Sequence, residues 1–426
     1  MMQLTTPEFE AAYKKLNPEQ KKAVDTIEGP VMVIAGPGTG KTQVLSLRVG
    51  NILKRTDIRP GNILCLTFTD AAQVNMRERL SDIIGPAGYK VGVYTFHGFA
   101  RDVIASYPEF FYNGADFVAA DELTQLEILE AVFAELPRSN PLSVKHEEQY
   151  SYIKDARRAV GLLKQAGITP QEFSKLIDRN EKELPKVNAL LGELLGERLS
   201  KAAFEPIAKA AEELALGNKK DTTATIELSL SHVVGLSLSR ALKQAVTEEK
   251  TAPLSAWKQS WMKLSGDGVK VFKDDLYVEK MRSLATIYSR YREAMWKHGY
   301  YDFDDMLLDV VSALEEHPSL LADLQERYQY ILVDEFQDTN DAQLKLVRHL
   351  GSAEVSEGKA NIMIVGDDDQ AIYRFQGAEI SNILDFPKYF KEHALIVLTK
   401  NYRSTQRILD VAREVIEKSE ERLERV

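Results

Sequence analysis

The sequence predicts an α/β protein, a parallel sheet interrupted by a large, mainly helical insertion. Short apolar runs, "GPVMVIAG", "NILCLTF" and "KVGVYTF", alternate with helical stretches within residues 1–110. The same pattern returns within residues 299–410, in "YQYILVDE", "NIMIVGD" and "ALIVLT". Strands alternating with helices build a parallel sheet, whose strands read as continuous apolar runs because both faces are covered. Residues 111–298 lack that alternation and read as mostly helical.

Within that stretch, "DELTQLEILEAVFAELP" places Leu123, Leu126, Leu129, Val132, Phe133 and Leu136 on one stripe at helical spacing, with Asp121 as the N-cap. "TTATIELSLSHVVGLSL" stays open between helix and strand, because its β-branched residues suit either. No internal repeat or low-complexity tract is present.

A chain of 426 residues is long enough for two or three domains, and 44% hydrophobic with 28% charged residues is a soluble globular composition. The single cysteine, Cys65, excludes an internal disulfide and sits in an apolar run as a buried structural thiol. The N-terminus carries acids and no apolar core of a signal peptide, and no apolar run approaches the ~20 residues of a membrane span. The expected location is cytoplasmic, with no membrane partner. A net charge of −10 argues against nucleic acid only weakly, since an acidic protein can carry a basic groove. Residues 241–298 have a local excess of lysine and arginine beside Trp257, Trp261, Tyr288, Tyr291 and Trp296. A solvated helix face explains them as readily as a nucleic-acid surface.

"VMVIAGPGTGKTQVL" carries the clearest chemistry. It fits the phosphate-binding pattern G-x-x-x-x-G-K-[ST] with Ala35 in the first glycine's place, followed by Gly36, Pro37, Gly38, Thr39, Gly40, Lys41 and Thr42. A strand ends, glycines let the backbone wrap phosphate, and a helix begins with its positive end toward the anion. Lys41 would reach the β- and γ-phosphates of a nucleotide and Thr42 would ligand Mg²⁺. "YILVDEFQDTN" supplies the complementary acids at a strand end, Asp334 to hold Mg²⁺ through water and Glu335 to take a proton from the attacking water. "IMIVGDDDQAIYRFQGA" runs a strand into three aspartates, an amide and aromatics, as if one loop touched two ligands.

"AGPGTGKT", "TFTDAAQVNMRERL", "TFHGFA", "YDFDDML", "VDEFQDTN", "VGDDDQAIYRFQGA" and "NYRST", in that order, resemble the motifs of superfamily 1 DNA helicases of the UvrD/Rep/PcrA type, over residues 16 to about 410. The resemblance implies the N-terminal, ATP-binding half: a RecA-like P-loop NTPase domain (1–110 and 299–410) with a helical insertion (111–298), and residues 411–426 starting a connection to a second RecA-like domain. It implies that Gln20 reads the adenine edge, Tyr402 stacks on adenine, Arg403 touches the γ-phosphate and Gln370 senses it. It places Phe68, Thr69, Thr95, Phe96, His97, Tyr373 and Phe375 on single-stranded DNA, where stacking on aromatic rings suits a grip that ignores sequence. Four positions depart from the pattern: Phe375 for tryptophan, Gln376 for arginine, Asp70 for asparagine and Lys400 for glutamine.

The expected function is ATP-dependent 3′–5′ DNA unwinding, with ATP and Mg²⁺ bound and with single strands and duplex junctions as partners. The helicase half of a helicase–nuclease, or a nucleotide-dependent single-strand-binding module without motor activity, are the alternatives. Because the family's later motifs have no match before Val426, the chain is expected to be part of a longer protein and not to unwind duplex alone.

Overall fold

Six apolar segments pair into one sheet: β1 (Val31–Ala35), β2 (Ile63–Thr67), β3 (Gly92–Thr95), β4 (Tyr330–Val333), β5 (Ile362–Gly366) and β6 (Ala394–Leu398). Their order is β6-β1-β5-β4-β2-β3, and every pair is parallel. The computed structural model describes residues 6–111, 117–195, 199–216, 229–264, 270–272, 275–352, 360–370 and 381–416.

Alternate strand residues feed two cores. Met32, Ile34, Leu64, Leu66, Ile331, Val333 and Ile364 pack under helices α4 (Phe96–Ser106), α5 (Phe303–Glu316) and α6 (Asp341–Gly351). Val33, Cys65, Val93, Leu332, Met363 and Val365 pack under α1 (Pro18–Asp25), α2 (Lys41–Arg55) and α3 (Asp70–Ile84). This two-sided burial is why the strands are apolar throughout, as in parallel sheets with helices on both faces. Burial pushes the Cys65 thiol up to about 12, so it stays protonated and inert.

Helix starts are fixed by polar caps. Asn17 and Gln20 form a reciprocal capping box on α1, and Asn340 with Gln343 does the same on α6. Thr69 accepts the Ala72 N–H to cap α3, Thr95 accepts the Gly98 N–H to cap α4, and Asp302 caps α5. The C-terminus of α1 is held by α2. Arg48, fully buried, donates to the carbonyls of Ala23 (3.0 Å), Thr26 and Ile27 (3.2 Å), while Asn51 donates to Val24 O (3.0 Å). Burial lowers the Arg48 pKa to about 9, which still leaves it charged at neutral pH.

Contacts divide the chain into two compact units, residues 1–119, 164–167 and 299–426 in one, and 120–163 with 168–298 in the other. The second unit is helical, with Glu122–Ala134, Pro170–Leu195, Phe204–Ala215, Leu230–Thr247, Ala252–Trp261 and Asp275–Lys297, plus a hairpin of Met262–Leu264 on Lys270–Phe272. Asp121 does cap its helix, accepting the Thr124 N–H at 2.8 Å. The apolar stripe is shorter than its spacing suggests. Leu129, Val132, Phe133 and Leu136 are buried, but Leu123, in the first turn, is 65% exposed. The ambiguous stretch resolves from Ser229 onward, where the Ser229 hydroxyl caps the helix Leu230–Thr247; residues 222–228 lie outside the described residues. Trp257, Tyr288 and Tyr291 are core residues of this unit, and Trp261 stacks on Trp257 at 5.6 Å. Three of the five rings of the locally basic stretch therefore build its core.

Candidate nucleotide-binding site

The site forms at the C-terminal ends of the strands, where open parallel sheets bind ligands. After β1 the chain turns through Gly36, Pro37, Gly38, Thr39 and Gly40 into α2. Gly38 and Gly40 have φ of +70° and +88°. A Cβ on Gly38 would also stand 2.6 Å from the Arg403 Cβ and 2.8 Å from the Asn401 Nδ2, so only glycine fits there. Thr39 is buried, its hydroxyl donating to Gly36 O at 2.7 Å and shaping the loop from inside. Gly40 begins α2 without a side-chain cap, which leaves the first N–H groups and the positive helix end for an anion.

Lys41 crosses from that helix to the end of β4, its Nζ 2.5 Å from Glu335 Oε2. The same oxygen accepts from Gln337 Nε2 at 2.9 Å. Among the described residues nothing bonds Oε1. Glu335 has φ of +49°, an unusual backbone for a non-glycine residue and one that clusters at functional sites. Asp334 is buried, and its Oδ1 accepts the Glu335 N–H at 3.0 Å. Burial, then the Glu335 charge, pushes the Asp334 carboxyl up to about 6, against the pull of Lys41. A third acid, Asp338, is buried beside them. The same two causes push it up to about 7, and its Oδ1 has no hydrogen-bond partner among the described residues. One ammonium thus pairs with Glu335 and lowers the cost of charge on the two buried carboxyls beside it.

The end of β5 adds Asp367 and Gln370. Asp367 is fully buried, and its carboxylate accepts from the Gln370 side chain. On the other side of the loop, Gln20 Nε2 donates to Thr39 O at 2.8 Å and its Oε1 accepts the Asn17 N–H at 3.1 Å. Asn17 Nδ2 donates to the Tyr402 hydroxyl at 2.9 Å, and the Tyr402 N–H donates to Gly38 O at 2.8 Å. Asn401 bonds Pro37 O and accepts the N–H groups of Arg403 and Ser404, both at 2.8 Å. Tyr402 is 63% exposed, its ring open for stacking.

The expected strand contacts divide. Phe68, Thr69, Thr95 and His97 stand at the ends of the adjacent strands β2 and β3, with Phe68 and His97 half-buried. Both threonine oxygens accept cap bonds, and each hydroxyl hydrogen remains for a phosphate. Phe96 is the exception. It is 2% exposed inside the core under α4, so its ring has no face to offer a base. Tyr373, Phe375 and Gln376 lie outside the described residues.

Several residues of the site escaped the sequence reading. Gln337, Asp367, Asn17 and Asn401 hold other residues of the site through side-chain or backbone bonds, Asp338 is buried beside Glu335, and nothing in their spacing marks these roles. Phe303 in "YDFDDML" is 61% exposed with its ring 6.0 Å from the His97 ring. The available signal was the Asp302–Asp305 capping pattern, which puts Phe303 in the first turn of its helix.

Among the described residues no group of three acids, histidines or cysteines could hold a metal unaided. Thr42 in the first turn of α2 and the buried Asp334 are nevertheless hard oxygen donors of the kind Mg²⁺ takes, the remaining positions falling to phosphate and water.

A glycine-rich turn from a central parallel strand into an uncapped helix, with its lysine on acids from a second strand, defines the chain as a P-loop NTPase. The profile of the UvrD/REP helicase N-terminal domain matches residues 16–391, and the chain belongs to that family. It is 28% identical over 407 residues to the ATP-dependent DNA helicase PcrA of Bacillus subtilis (strain 168), covering 96% of this chain and 40% of that protein. It is 29% identical over 412 residues to PcrA of Staphylococcus aureus (strain Mu50 / ATCC 700699), covering 97% and 41%. The chain thus spans about two-fifths of the length of these curated relatives. Among the described residues no helix is long and apolar enough to cross a membrane.

Proposed function

We propose that the chain is the ATP-binding portion of a 3′–5′ DNA helicase, binding and hydrolysing ATP in step with single-stranded DNA. The observation that carries the hydrolysis reading is the Lys41–Glu335 pair at 2.5 Å, which puts the phosphate-binding lysine and the candidate base at one point. Family membership and the printed names of the relatives support the ATP and DNA parts, and the polarity rests on the motif resemblance alone.

When nucleotide enters, Lys41 exchanges Glu335 for phosphate oxygens. Glu335 then holds the attacking water and receives its proton as the bond from the γ-phosphorus to the bridging oxygen breaks. Thr42 and Asp334 would hold Mg²⁺, which when bound neutralises charge on the phosphates. Arg403 and Gln370 orient and stabilise the γ-phosphate. Gln20 is preset for adenine. Its two bonds fix which end of the amide is oxygen, leaving one acceptor lone pair for the adenine amino group and one N–H for the ring nitrogen beside it. Guanine presents two acceptors at that edge and cannot satisfy both. Phe68, His97 and Phe303 offer ring faces to a single strand, and Thr69 and Thr95 offer hydroxyls to its phosphates.

Phosphate release, with and without single-stranded DNA, tests the reading. Turnover raised by the strand and lost in Lys41→Ala is expected. DNA-independent ATP turnover, or Lys41→Ala binding a fluorescent ATP analogue unchanged, would sink it.

A further inference from the structure

We propose that Gln337 is a positioning residue for hydrolysis, holding the candidate base and the γ-phosphate sensor in one bonded unit. This rests on the hydrolysis reading above and adds to it. Gln337 is 1% exposed and lies in the turn after β4. Its Nε2 donates to Glu335 Oε2 at 2.9 Å, and its Oε1 accepts the backbone N–H of Asp367 at 3.0 Å. The Asp367 carboxylate in turn accepts from Gln370, and the Gln370 N–H donates to Asp367 O at 2.9 Å. An unbroken chain of hydrogen bonds therefore joins Glu335 to Gln370 across the ends of two neighbouring strands.

Two features argue that the link is built for geometry. The bond from Gln337 falls on the oxygen that also takes Lys41, so Oε1 stays turned to the water while Lys41 is exchanged for phosphate. Gly366, the last residue of β5, makes room for the amide. A Cβ there would stand 2.9 Å from Gln337 Oε1 and 3.0 Å from Ile383 Cδ1. These are side-chain ends, and the Gln337 backbone nitrogen follows at 3.3 Å, so an added methyl would displace the amide and press on the turn that carries it.

The test compares kcat, KM and analogue affinity in the full-length protein for Gln337→Met, Gly366→Ala, Gln370→Ala and Glu335→Gln. Gln337→Met keeps the volume and loses the bonds. A fall in kcat on the order of 10²-fold with analogue affinity unchanged is expected, the scale of a misplaced reacting group. Gly366→Ala should lower kcat in the same direction without touching Gln337 chemically, which keeps the test alive should Gln337→Met fold poorly. The double variant Gln337→Met/Gln370→Ala should lose less than the product of the single losses, because the two act as a unit. Wild-type kcat in Gln337→Met or Gly366→Ala, or strictly multiplicative losses in the double variant, overturns the proposal if Glu335→Gln is itself inactive. An active Glu335→Gln overturns the hydrolysis reading beneath it instead.

Discussion

The sheet unit and the helical unit bury apolar side chains alike, but they differ in the polar groups buried among them. Gln20, Thr39, Arg48, Asp334, Gln337, Asp338, Asn340, Gln343 and Asp367 are all buried in the sheet unit. Among the described residues of the helical unit only Ser229, Ser283 and Arg292 are. A buried polar group costs free energy unless fully bonded, so a protein keeps it where structure or chemistry requires it. In the sheet unit most of those groups sit at strand ends and helix caps, while Arg48 holds the C-terminus of α1 from within α2. The helical unit follows ordinary packing rules instead, with Val187, Leu191, Leu238, Leu254 and Trp257 in one apolar cluster.

That contrast breaks down unless substitutions in the two units have different signatures. The largest effect belongs to Glu335→Gln, which should cut ATP turnover by roughly 10²–10⁴-fold while leaving analogue affinity in place. Lost affinity at unchanged turnover would move Glu335 from base to structural support. Leu191→Ala, at a fully buried position of the helical unit, should instead cost about 2–5 kcal/mol of that unit's stability in a denaturant titration. A drop in kcat without loss of stability there would erase the distinction. Phe303→Ala should weaken single-strand binding by about 1–3 kcal/mol with little change in salt dependence, since it removes a ring and no phosphate contact.

A smaller effect depends on pH. Asp338 is held at about 7 in the folded chain against an ordinary 3.8. The folded state thus binds that proton more tightly than the unfolded one. Its contribution to stability is fully present below the ordinary value and is lost as pH rises through about 7. Asp334, raised to about 6, has the same sign. Melting temperatures of the nucleotide-free protein should therefore fall less steeply between pH 5.5 and 7.5 in Asp338→Asn than in wild type. Identical slopes would mean that the carboxyl is not penalised by its surroundings. The smallest effect, about 1 kcal/mol, is expected for Asp121→Ala, which removes one helix cap from the helical unit and should leave turnover alone.

Legibility in the sequence followed the same division. The strands and the phosphate loop were readable because a buried parallel strand, a glycine turn and a following helix are contiguous. Gln337 and Asp367 were not, because the bond between them joins the ends of two strands that only the pairing of β4 with β5 brings together. Phe96 was misjudged because a motif shows which residues travel together and not which way each faces. One helical step separates it from His97, enough to turn one ring into the core and leave the other half-exposed. Leu123 failed for a related reason. Periodicity puts it on the right face, but it falls in the first turn, where that face reaches solvent.

The grip of α2 on α1 has a thermodynamic consequence. Gln20 at one end of α1 touches the phosphate loop, while Arg48 and Asn51 anchor the other end to the helix that the loop begins. The proposed base reader and the phosphate loop are thereby one bonded unit before any nucleotide arrives. The Gln20 amide then needs no ordering on association, and that part of the entropy lost in forming a complex is already absorbed in the fold. If that unit were loosened at Arg48, phosphate contacts would survive while the amide of Gln20 wandered. Discrimination between purines would fail first, and affinity for the triphosphate only later.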